Sequence, residues 1–143
     1  KNAFDSALAD SLGDECSMDV VKALHSRIGE RIDVLKGPGA DDAPEIHINE
    51  LEEILMKSGT SDEAIEKFHD TCKNYFEGEE FFNPENLINR KQFKLETAEM
   101  NVSIDPEHAF GIKTEIIDGR QYLMIPISEG LTVNGVDVKV SDK

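Results

Sequence analysis

Residues 112–127 read IKTEIIDGRQYLMIPI, and the pair in the middle, Asp118-Gly119, decides what the second half of the chain is. A two-residue Asp-Gly loop between apolar runs signals a hairpin, because both loop residues must take positive φ and these two do so at low cost. Pairing Ile117 with Arg120 sets the register, with Thr114 opposite Leu123 and Ile112 opposite Ile125. Ile116 and Ile127 join that face, and Ile117, Tyr122 and Met124 form an apolar set on the other. That second set is a candidate partner surface.

Working outward, LTVNGVDVKV (131–140) repeats the device with Asn134-Gly135 and places Leu131, Val133, Val136, Val138 and Val140 on one face. On the other side the period of two begins at Lys91. Phe93 and Leu95 alternate with polar residues, as do Met100, Val102 and Ile104. These strands predict an antiparallel meander of about five or six, with an apolar face that the helices must cover.

The first half carries the helical period instead. Phe4, Ala7, Leu8 and Leu12 share a face that stops at Gly13. Val21, Leu24, Ile28, Ile32 and Leu35 follow, with Ser17 or Asp14 as a cap and Gly37-Pro38-Gly39 as the stop. Asn49 and Glu52 have the spacing of a capping box, with Ile48 as its hydrophobic staple. Only Thr60 and Ser61 separate Gly59 from the next helix, which predicts a helical hairpin. Phe81-Phe82 then pins the connection to the strands.

The totals narrow the function classes. The chain has 143 residues with 15 basic and 30 acidic side chains, a formal charge of -15. Such a balance repels phosphate backbones and anionic membrane surfaces. The reading therefore expects no nucleic acid and no membrane. The acids are spread over helix faces, as solubility requires. Two cysteines, Cys16 and Cys72, are too few for a disulfide scaffold and fit a reducing, cytoplasmic setting. No apolar stretch approaches the roughly 18 residues of a membrane span. The chain begins without Met and with a helical pattern already under way, which we read as a piece of a longer protein.

The stretch KFHDTCKNYF (67–76) looks most like chemistry, with His69 three residues before Cys72. Helical spacing puts Cys72 inside the stripe of Ile65, Phe68, Tyr75 and Phe76, where a thiol behaves as a small hydrophobe. His69 lies at its edge. A structural zinc site needs a second paired motif, and Cys16, His25, His47 and His108 form none. His25 reads as a packed or capping residue, and His47 and His108 fall in connections. An EF-hand alignment ending at Glu50 puts Gly39, Asp41 and Ala43 at ligand positions and Pro44 where the turn needs Gly, so the ligand set is missing. Neither phosphate-loop pattern occurs, nor any nucleophile-elbow or zinc-protease motif. The basic stretch NRKQFK (89–94) is too short to outweigh the overall charge, and its lysines suit a guarded strand edge. No cofactor and no metal is expected.

Several features together resemble an uncharacterised bacterial family, catalogued as domain of unknown function 4317 (DUF 4317). They are Gly13-Asp14-Glu15-Cys16 before a helix, Arg90-Lys91 entering the first strand, and the Asp105-Pro106-Glu107 turn. Ile117-Asp118-Gly119-Arg120 and the Asn134-Gly135 ending complete the likeness. The resemblance implies that the chain is the C-terminal part of a longer parent, and it brings no catalytic residues. We thus expect a single α+β domain over 1–143, with a helical half at 1–80 and a β-meander half at 91–140. The reading leans against an enzyme and toward a structural or protein-interaction module with a protein partner of unknown identity. The alternatives are a ligand-binding or enzymatic domain, with a site on His69 or His25 and nearby carboxylates that needs the parent's N-terminal region, and an acidic domain that engages a basic protein.

Overall fold

The computed structural model describes residues 2–35 and 45–140, and the chain divides between Phe110 and Gly111 into two compact units. Gly37-Pro38-Gly39 and the EF-hand positions Gly39, Asp41, Ala43 and Pro44 lie outside the described residues.

The first unit is built on four α-helices. In α1 (Asn2–Leu12) the expected face of Phe4, Ala7, Leu8 and Leu12 is fully buried, and Gly13 ends the helix at a φ of 53°. Helix α2 (Met18–Leu35) begins where the Ser17 hydroxyl accepts from the Val20 amide at 3.4 Å. Its buried row is Val20, Leu24, Ile28 and Ile32, while Val21 is exposed. The sequence pattern accommodates either valine; an i+4 ridge packed into a neighbouring groove selects Val20.

Helix α3 (Ile48–Lys57) starts two residues earlier than the Asn49–Glu52 box implies. The cap is His47, whose Nδ1 accepts from the Asn49 amide at 3.0 Å while Glu50 accepts from the His47 amide at 2.9 Å. The cause is a two-residue ladder that the sequence did not reveal. Strand β1 (Ile46–His47) pairs with β2 (Phe81–Phe82), which holds His47 extended and leaves Ile48 as the first helical residue. Phe82 is buried against Phe76, with ring centroids 4.8 Å apart, so it makes the anticipated pin. Phe81 stays exposed with its ring edge to face with His47.

Helix α4 (Asp62–Tyr75) completes the expected helical hairpin. Gly59 turns the chain at a φ of 90°, and the Ser61 hydroxyl caps α4 by accepting from the Ala64 amide. Phe68 and Cys72 point into the core, where Phe68 meets Phe4 of α1 edge to face. Tyr75, placed in that stripe by its spacing, is instead exposed and donates its hydroxyl to Asp10 of α1 at 2.5 Å. A phenol at the stripe's margin loses less by reaching a carboxylate in water than by burying its oxygen. Strands β3 (Phe93–Glu96) and β4 (Asn101–Ile104) pair antiparallel, with Phe93 opposite Ile104 and Leu95 opposite Val102, and a 3-10 turn follows at Pro106–Gly111. Phe93 is buried, whereas Met100 in the connecting loop is exposed.

The second unit consists of two hairpins. β5 (Lys113–Ile117) pairs with β6 (Arg120–Met124) in the expected register, Ile117 opposite Arg120 and Thr114 opposite Leu123. β7 (Leu131–Val133) pairs with β8 (Val136–Val138) across Asn134-Gly135. All four loop residues have φ between 51° and 82°, as two-residue hairpin loops of this kind require.

The α+β class therefore holds, with helices first and antiparallel strands after. The strands form four separate two-stranded ladders among the described residues, and β1–β2 sits within the helical half. On the hairpin faces expected to be covered, Ile112 is fully buried and Leu123 and Leu131 are half-buried. Ile116, Val133, Val136, Val138 and Val140 are exposed. Strands of three to five residues with valines and isoleucines are compatible with either state, so the alternation alone did not decide burial.

Candidate functional site

The residues that look most reactive in the sequence lie within or beside the packed core. Cys72 is fully buried, and burial, with the nearby Glu52 carboxylate, pushes its thiol up to about 12. Burial of this kind disfavours the thiolate, the form of cysteine that attacks electrophiles and binds metals. His69 donates from Nδ1 to Glu52 at 2.6 Å, a half-buried tie between α4 and α3. Cys16 is half-buried, and its thiol is also raised by burial. Glu50, the final acid of the EF-hand alignment, serves as the α3 capping partner and pairs with Arg31. Among the described residues no three His, Cys, Asp or Glu side chains gather as a metal cluster. His108 is exposed in the turn after β4, its amide bonded to the Asp105 carbonyl.

His25 stands elsewhere. It lines a cleft of about 430 Å³ in the first unit, together with Lys22, Glu30, Arg90, Phe93 and Glu107. The Asn89 carbonyl can only accept, so at 2.9 Å it fixes the His25 proton on Nε2. The ring meets Phe93 edge to face, with centroids 5.3 Å apart. Lys22 donates to the Phe110 carbonyl at 3.1 Å. Arg90 grips both carboxylate oxygens of Asp33, at 2.8 and 3.3 Å, and these bonds raise its pKa further. Gly29 makes this possible, since a Cβ there would lie 3.0 Å from three Arg90 side-chain atoms. The cleft thus brings one histidine and two carboxylates together, while both its cations are engaged with partners of their own. The one aromatic of the NRKQFK stretch, Phe93, is a wall of this cleft.

The partner-surface candidates fall in the second unit. Register places Lys113, Glu115 and Ile117 of β5 across from Met124, Tyr122 and Arg120 of β6, all on one face. Ile117 and Tyr122 are 44% exposed and Met124 38%. The strip alternates apolar and charged side chains, with tyrosine, methionine and arginine side by side. Sequence reasoning placed these three together because the Asp-Gly loop fixes the register. It did not reveal the exposure of Val136, Val138 and Val140, and the short span between the turns was the only hint.

Among the described residues no helix is long and apolar enough to cross a membrane. In comparison with known proteins, the model of a family described as a domain of unknown function (DUF4317) matches residues 1–136. No curated protein and no solved structure matches the chain.

Proposed function

From the premise that this chain belongs to the DUF4317 family, which assigns no chemistry, we propose that it is a non-enzymatic protein-interaction module. Its contact face is the β5–β6 strip of Ile117, Tyr122 and Met124. The observation that carries this reading is the alignment of three exposed apolar side chains, interleaved with Lys113, Glu115 and Arg120, on one hairpin face. Buried interface centres are rich in tyrosine, methionine and arginine, with charges kept to the rim. Two unpaired cysteines fit the cytoplasm as its setting. The test is affinity capture from the native cell, comparing the wild-type protein with Tyr122→Ala/Met124→Ala. The reading expects a partner that is lost with the variant and that protects β5–β6 amides from hydrogen exchange. A partner retained equally by both proteins would remove the reading.

The His25 cleft favours a second reading, a ligand-binding site, because His25, Glu30 and Glu107 line one concavity of ordinary ligand-site size. A fragment library screened by amide NMR should then shift signals around His25 and Glu107, and His25→Gln should abolish those shifts. Shifts confined to other surfaces would count against it.

A further inference from the structure

Strand β8 (Val136–Val138) is followed directly by Lys139-Val140, and in the run Val136-Asp137-Val138-Lys139-Val140 the charges are related by a two-fold axis through Val138. β8 pairs with β7 on one side only, and its other edge carries no strand among the described residues. All five side chains are exposed. The closing pair of a two-residue loop exchanges hydrogen bonds, so Val136 and Val138 direct their peptide groups toward β7. Asp137 therefore turns its own to the open edge, and a second strand laid there would extend the same alternation to Lys139.

We propose that a second copy of this chain adds to that edge, antiparallel, making the sheet β7–β8–β8′–β7′. The charges select the register. An axis through Asp137 sets two aspartates face to face, and one through Lys139 sets two lysines face to face. An axis through Val138 alone sets each Asp137 against Lys139 of the other copy. It also stacks Val136 on Val140 and Val138 on its own mate. The outward peptide groups agree with it, because Asp137 and Lys139 then form the hydrogen-bonded pairs and Val138 the non-bonded one. A single edge lysine guards against pairing; an aspartate two residues before it turns the guard into a complement for a second copy.

Long-range charge also permits contact here. Residues 111–143 carry four of the 15 basic and five of the 30 acidic side chains, a balance of -1, against -14 for residues 1–110. Two copies approaching through their hairpins meet the least repulsion the molecule offers. A two-stranded ribbon is marginal in water, and a four-stranded sheet is a more usual size. The inference goes beyond the preceding proposal, since it uses the β8 edge and not the β5–β6 face.

The test is sedimentation equilibrium of the full chain over a dilution series up to about 100 μM. The expected wild-type result is a monomer–dimer equilibrium between 15.9 kDa and twice that mass. Asp137→Lys and Lys139→Asp should each weaken the dimer by about 10-fold or more, because cross-strand attractions become repulsions. The double variant Asp137→Lys/Lys139→Asp should dimerise like the wild type, and an equimolar mixture of the two single variants should form heterodimers. A wild type that stays monomeric throughout overturns the proposal, as does a double variant as weak as the singles. Loss of the dimer in Tyr122→Ala/Met124→Ala with no effect of the charge variants would move the contact to β5–β6. A monomeric wild type whose captured partner still depends on Tyr122 and Met124 would leave the interaction reading standing alone.

Discussion

Cys72 shows how burial converts a reactive residue into filler. Its thiol, pushed up to about 12, keeps its proton in the folded state well above the ordinary thiol range. The unfolded chain loses that proton near 9, so stability is complete below that pH and declines above it. The slope is about 1.4 kcal/mol per pH unit until the folded thiol also ionises. Urea melts at rising pH should therefore lose midpoint more steeply for the wild type than for Cys72→Ala, and alkylation of the native protein should label Cys16 first. Gly29 raises a question of sign. Alanine gains about 0.5–1 kcal/mol over glycine inside a helix, but here its Cβ would displace the Arg90 side chain from Asp33. In an Arg90→Ala background Gly29→Ala should give the full helical gain, and in the wild type clearly less. A double-mutant cycle in denaturant measures the difference, and equal effects in both backgrounds would mean that Arg90 does not rest on α2.

At the level of elements, the start of α3 depends on a histidine. His47 accepts from the Asn49 amide while Glu50 returns a bond to the His47 amide. His47→Ala should cost about 1 kcal/mol in chemical denaturation, and His47→Ser should recover most of it. The sequence misplaced this cap for a definable reason. Asn49 and Glu52 satisfy the local pattern equally well, and only the pairing of Ile46–His47 with Phe81–Phe82, more than 30 residues away, excludes them. Features with local causes were legible: the Asp-Gly and Asn-Gly loops, the register of the strands they join, the stops at Gly13 and Gly59 and the core face of α1. Choices made by tertiary contact were not, among them Val20 over Val21 and the outward turn of Tyr75. The partner-surface residues could be placed on a common face because their register was local; the His25 cleft could not, because Arg90 and Glu107 reach it from distant parts of the chain.

Across the whole molecule, charge is distributed unevenly. Residues 1–110 hold -14 of the -15, and this self-repulsion opposes their compact state. Raising salt from about 0.01 to 0.15 M shortens the screening length from roughly 30 to 8 Å. The melting temperature of the helical unit, followed by circular dichroism at 222 nm, should rise over that range. A fall would mean that its ion pairs, such as Arg90–Asp33 and Lys57–Glu53, outweigh the repulsion. One contact in this unit also bears on how it assembles. Ser61 caps α4 locally, accepting from an amide three residues on, yet its own amide and hydroxyl donate to Glu15, 46 residues back. Those bonds hold the Glu15 carboxyl below its usual range. The helical hairpin can nucleate without Glu15, because its cap is local and cheap in loop entropy, while the long closure comes later. Glu15→Gln should accordingly speed unfolding and leave the refolding rate nearly unchanged in stopped-flow measurements. That single carboxylate would then act as a latch on the finished fold, set after the route to it has already been taken.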